Sequence, residues 1–116
     1  MSKRTDIRRH KRNSFTATVR VGWQDRLGRE KFLNARVFDV SESGLSLQLP
    51  EAVDARCTLT LKSEKLGLHA LGSVRHCARA GGRYLVGVEF TGGFRWKAPN
   101  AEVEAALREA DALAVP

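Results

Sequence analysis

The stretch FTATVRVGW, Phe15–Trp23, decides the fold. Phe15, Ala17, Val19, Val21 and Trp23 share one side of an extended chain, and Thr16, Thr18, Arg20 and Gly22 share the other, because successive side chains of a strand point to opposite faces. Such alternation predicts a half-buried β-strand. Trp23 ends the apolar side and is expected in the core or at its rim. Outward from this stretch the pattern repeats. Gln24–Arg29 is polar, contains Gly28 and reads as a turn. Lys31–Val40 is a second strand, interrupted by Ser41–Gly44. Leu45, Leu47 and Leu49 alternate with Ser46 and Gln48 in a third, which Pro50 stops.

Three more strands follow. Arg56–Lys65 carries Cys57, Leu59 and Leu61 on one face. Leu68–Arg79 has an undefined inward face, because Gly72 and small residues blur the period. Gly81-Gly82 reads as a hairpin turn into Arg83–Thr91, with Tyr84, Val86, Val88 and Phe90 together. Six short antiparallel strands predict an all-β sandwich or barrel. Closure into a barrel is favoured because it leaves no exposed sheet edge.

The tail changes period. Val103, Ala106, Leu107, Ala110 and Leu113 recur at helical spacing. Asn100 is placed to cap the N-terminus, and Glu102 and Glu104 stand where the helix dipole favours acids. The apolar stripe of this C-terminal α-helix needs a surface, either the barrel or a partner protein. Trp96 is expected to pack the helix onto the barrel. The chain thus divides into a basic arm over residues 1–14, a barrel over 15–92, and a linker with helix over 93–116.

Charge marks the other end. The 116 residues carry a net +7. Residues 1–12 hold Lys3, Arg4, Arg8, Arg9, Lys11 and Arg12 against Asp6, a net +5, so the remaining 104 residues carry only +2. A mobile arm of this kind attracts phosphates. No apolar run is long enough to cross a bilayer, and no apolar stretch follows the basic N-terminus as in a signal peptide. A cytoplasmic protein is expected, with Cys57 and Cys77 reduced and buried. His10, His69 and His76 lack metal-ligand spacing, and strict alternation puts His69 and His76 on opposite faces of one strand. No P-loop, HExxH or GxSxG occurs, so neither a metal, a cofactor nor an enzyme is expected.

Two short motifs remain. Arg8 and Arg12 form an RxxxR around Arg9-His10-Lys11. Asp39, Ser41 and Gly44 form a DxSxxG in DVSESGL, Asp39–Leu45. The second also suits a plain turn, in which Asp and Ser bond the backbone and Gly44 takes a positive φ. The arm enters at the start of strand one, and a hairpin returns the end of strand two to the same end of the barrel. The two motifs are therefore expected to be neighbours.

In this pairing the chain resembles the PilZ domain, the bacterial receptor module for the second messenger cyclic di-GMP. RYLVGVEF, Arg83–Phe90, is similar to the family's late strand. The resemblance covers about residues 7–92 and implies a six-stranded antiparallel barrel with a flexible basic arm. It further implies that Arg8 and Arg12, assisted by Arg9, grip phosphate and guanine. Asp39 and Ser41 would hold a guanine, and Gly44 would shape the loop. The chemistry suits these roles. Guanidinium bonds phosphate oxygens or a guanine edge in pairs and stacks on bases, and a carboxylate accepts from guanine N–H groups. Ordering of the arm over the ligand would signal to an effector protein not named by the sequence. Two other classes compete. A nucleic-acid binder using the arm would show steep salt dependence, and Asp39 and Glu42 argue against it. An interaction protein working without nucleotide would tolerate loss of Arg8 and Arg12. Arg20, Arg36 and Arg75 are expected on the outer surface, where any of them could border the ligand.

Overall fold

The computed structural model describes residues 17–114, with the side chains of 107 and 109–114 left aside. Six strands form a closed antiparallel barrel: β1 (Ala17–Gln24), β2 (Glu30–Val40), β3 (Gly44–Leu49), β4 (Thr58–Ser63), β5 (Leu68–Ala80) and β6 (Arg83–Phe90). Around the barrel the order is β1-β2-β3-β6-β5-β4, and β1 pairs with β4 to close it. A single helix, α1 (Ala101–Ala114), follows among the described residues.

The alternation that predicts the strands also fills the interior. Val19, Val21, Val37, Leu47, Leu49, Leu59, Leu61, Val74 and Val86 all have under 2% of their surface exposed. Burying an aliphatic side chain of this size stabilises by about 1.5–3 kcal/mol relative to exposure, so these inward rows decide the register. Trp23 is buried with them, as expected. Trp96 is buried in the same core cluster as Val103 of the helix. Its indole Nε1 donates to the Leu66 carbonyl at 2.6 Å, and its backbone N–H donates to the Glu42 carbonyl at 2.9 Å.

Asn100 caps α1 by accepting the Val103 N–H on Oδ1 at 2.9 Å. Val103 is buried and Ala106 packs against the core, so the first turns of the helix use the barrel as their surface. Leu107, Ala110 and Leu113 lie outside the residues whose side chains are described.

The fourth strand begins two residues later than the sequence predicts. Arg56 takes φ 69°, a left-handed conformation that breaks extended pairing, and β4 starts at Thr58. Cys57 and Cys77 are free thiols and half-buried, not fully buried. His69 and His76 are both exposed on the outer surface, against the expectation of opposite faces. The cause is a bulge in β5, where the register shifts between Val74 and His76. Seven residues of strand still hold the two histidines roughly 20 Å apart.

Candidate functional site

A row of four residues crosses the outside of the barrel. Asp39 on β2 faces Ser46 on β3, Ser46 faces Gly87 on β6, and Gly87 faces His76 on β5. Each pairing is a cross-strand neighbour relation, so the four side-chain positions stand side by side. Below Ser46 and Gly87 runs a second row, from Gly44 through Glu89 to Ser73.

Asp39 reaches this surface because of a bulge. Ala35 and Val37 point inward, and strict alternation would send residue 39 after them. The β2–β3 register shifts between Val37 and Asp39, and the extra residue, Phe38, turns Asp39 outward and returns Val40 to the core. A bulge that re-aims one side chain in this way is a device rather than a defect. The β5 bulge does the same from the other side. Val74 is buried and Cys77 half-buried, and between them Arg75 and His76 both face out.

The turn between β2 and β3 is tied on three sides. Within it, the Ser41 N–H donates to the Gly44 carbonyl at 2.8 Å, and Ser41 Oγ donates to the same carbonyl at 3.3 Å. The Phe90 N–H donates to the Ser43 carbonyl at 2.8 Å. Arg95 pairs with the Glu42 carboxylate at 2.8 Å. Gly44 does not have a positive φ. Its glycine is required instead by closeness, because a Cβ there would run into the carbonyl of Val88. At Gly87 the neighbour is a side chain rather than backbone: the His76 ring lies in the space a Cβ would fill and would have to move aside for one.

The result is a shallow cleft of about 270 Å³ lined by Asp39, Ser41, Gly44, Arg75, His76 and Glu89 among others. Arg75 and Glu89 form an ion pair across β5 and β6. The exposed Asp39 carboxylate meets no hydrogen-bond or ion-pair partner among the described residues. Chemically the cleft offers a free acceptor at Asp39, hydroxyls at Ser41 and Ser46, a fork donor at Arg75 and an imidazole at His76.

Of the residues singled out from sequence, Asp39, Ser41 and Gly44 thus come together in one cleft. Arg8, Arg9 and Arg12 lie outside the described residues. Phe15, where the sequence reading starts the first strand, lies outside them too; Ala17, the first residue of β1, pairs with Val37, two positions from Asp39. Arg20 and Arg36 do not line the cleft. Their guanidiniums sit over the rings of Phe32 and Phe38, 5.5 and 5.3 Å from the centroids. Sequence reasoning missed His76, Glu89 and Gly87 as site residues. The signal for them is the three-residue step from Val74 to Cys77, which breaks the period of two.

A second, larger cleft of about 410 Å³ opens at the other end of the β1–β2 hairpin, between Trp23, Leu27, Val53 and Cys57. Its charges are mutually engaged. Asp25 accepts the N–H groups of Leu27 and Arg29 and pairs with the Arg29 side chain, each at 2.9 Å. These bonds, the Arg29 backbone N–H foremost, hold its carboxyl below the ordinary value. Arg26 grips Asp54 through both carboxylate oxygens, at 3.0 and 2.6 Å. That bond lowers Asp54 and raises Arg26. Lys31 bonds both oxygens of Glu51. Burial, then the Asp54 carboxylate, pushes the Cys57 thiol above its ordinary value.

Among the described residues no cluster of three His, Cys, Asp or Glu gathers as a metal site, and no helix is long and apolar enough to cross a membrane. The family model described as PilZ domain matches residues 6–107, most of the chain and both motifs. No curated protein gives a significant match.

Proposed function

The chain belongs to the PilZ domain family, whose members are in general cyclic di-GMP receptors, and from that premise we propose that this protein binds cyclic di-GMP between its basic arm and the β2-β3-β6-β5 face of the barrel. Asp39 accepts from a guanine edge, with Ser41 beside it. Gly44 keeps β3 close enough to β6 for the turn to present them. Arg8 and Arg12 bond the phosphates and a guanine in pairs, and Arg9 adds charge. One observation carries the reading: the β2 bulge turns Asp39 out of the core, unpartnered among the described residues and two positions from Val37, which pairs with Ala17.

The ligand is a dianion and the arm carries a net +5. Drawn between arm and barrel, the ligand offsets the arm's self-repulsion and orders it. The ordered arm is the signal, read in the cytoplasm by an effector protein, and the domain catalyses no reaction. The receptor acts through that partner.

Calorimetric titration with cyclic di-GMP tests this, with GTP and a short random DNA as controls at two salt concentrations. Saturable binding of the cyclic dinucleotide alone is expected. Silence with it, together with DNA binding that collapses at the higher salt, would reduce the arm to a polyanion-binding tail.

A further inference from the structure

Two bulges frame the site, and only that of β2 carries a motif residue. The bulge of β5 interrupts its ladder with β6 to turn two consecutive side chains, Arg75 and His76, to the same face. Resting on the receptor reading above, we propose that Arg75 and His76 are the barrel's own recognition pair: Arg75 leaves Glu89 to take a ligand phosphate, and His76 stacks on a base.

Arg75 is the single lysine or arginine that lines the cleft among the described residues. The carboxylates nearby are Asp39, which is unpaired among the described residues, Glu89, and Glu42, which Arg95 holds. A dianion lying on this surface meets negative charge unless a cation moves to it. The Arg75–Glu89 pair is 63% and 52% exposed, and exposed pairs contribute little. Exchanging Glu89 for a phosphate, which matches the guanidinium fork equally well, is therefore favourable. Glu89 then stands as an uncompensated charge beside the ligand.

His76 is positioned by a different device. Its ring rests on the backbone of Gly87, in the space where any other residue would put a Cβ. It stands in line with Ser46 and Asp39, yet it remains exposed. An aromatic ring fixed on one side and open on the other is a platform for a base, and stacking of this kind tolerates any π-face.

Opposite signs at the two ends of one ion pair distinguish this from a structural salt bridge. Titration of the full chain with cyclic di-GMP is expected to show Arg75→Ala about ten-fold weaker, the scale of one charge-assisted bond. Glu89→Gln is expected to bind tighter than wild type by about three-fold, since it removes repulsion and frees Arg75. His76→Ala loses about ten-fold, His76→Phe keeps the affinity, and the His76 ring protons of the wild type move upfield on binding. All three positions are exposed, and unchanged thermal unfolding will show that the variants are folded. Arg75→Ala and Glu89→Gln shifting together, or neither moving beyond about two-fold, would sink the proposal. If the wild type binds and Asp39→Ala abolishes binding while these variants do not change it, the receptor reading survives and the pair has no part in it. A wild type that does not bind overturns both.

Discussion

Two clefts of this barrel, at the hairpin end and on the β2-β3-β6-β5 face, differ in the opposite sense to their sizes. The one at the hairpin end is half as large again, and all six of its charged residues are engaged with one another. The one on the β2-β3-β6-β5 face is shallow, and its Asp39 carboxylate is free among the described residues. The lesson is that volume reports how the backbone folds, whereas free donors and acceptors report what a surface can bind. A carboxylate already accepting three bonds, like Asp25, has little left for a ligand.

That contrast breaks most sharply in a binding experiment. Asp39→Ala or Arg12→Ala is expected to weaken cyclic di-GMP binding by about 2 kcal/mol or more, the scale of a charge-assisted bond lost from a small site. Glu51→Ala in the larger cleft is expected to leave affinity unchanged. Equal losses at Asp39 and Glu51 by calorimetry would mean that the ligand does not distinguish the two ends.

A smaller effect tests the frame of the shallow site. Gly44→Ala forces β3 away from the Val88 carbonyl, and the expected destabilisation is about 1–3 kcal/mol by urea unfolding. Gly28→Ala, at an open turn position, meets no atom within 4 Å and suffers only its φ of 79°. Its loss is expected at about 1 kcal/mol, below that of Gly44→Ala. The reverse order would remove the close approach as the reason for Gly44.

The hairpin end should respond to acid instead. Hydrogen bonds hold the Asp25 carboxyl below its ordinary value. A carboxyl lowered in the folded state contributes stability that is complete above its unfolded value, near 3.8, and is lost as pH falls through the folded value. Amide exchange at Leu27 and Arg29 is therefore expected to quicken, relative to the core strands, only below about pH 4. Constant relative protection down to pH 2 would show that Asp25 does not hold the turn. The smallest effect is at Cys57, whose raised thiol is expected to alkylate more slowly at pH 7 than a free cysteine. Mass spectrometry of the labelled protein reads this directly.

The six strands and the capped helix were legible because burial enforces a period of two in one and a capping residue marks the other. Asp39, Ser41 and Gly44 were legible as a motif, but not for the reason that shapes them. Gly44 answers to a neighbouring carbonyl from β6, that of Val88, far along the chain, which no local rule contains. The two bulges were the principal loss. Each shows in the sequence only as a step of three between inward residues, Val37 to Val40 and Val74 to Cys77, and a step of three also occurs in helices and loops. Missing the second bulge hid Arg75 and His76 as a pair and sent His69 and His76 to opposite faces.

Trp96 has a consequence for how the β2–β3 turn is held. Its backbone is bonded to Glu42 within the β2–β3 turn, its indole to Leu66 between β4 and β5, and four residues later the helix cap begins. Arg95 doubles the first tie. The tryptophan is thus a linchpin between the β2–β3 turn and the β4–β5 loop, four residues ahead of the helix cap. One buried residue thereby fastens two loops, β2–β3 and β4–β5, to the segment that leads into α1.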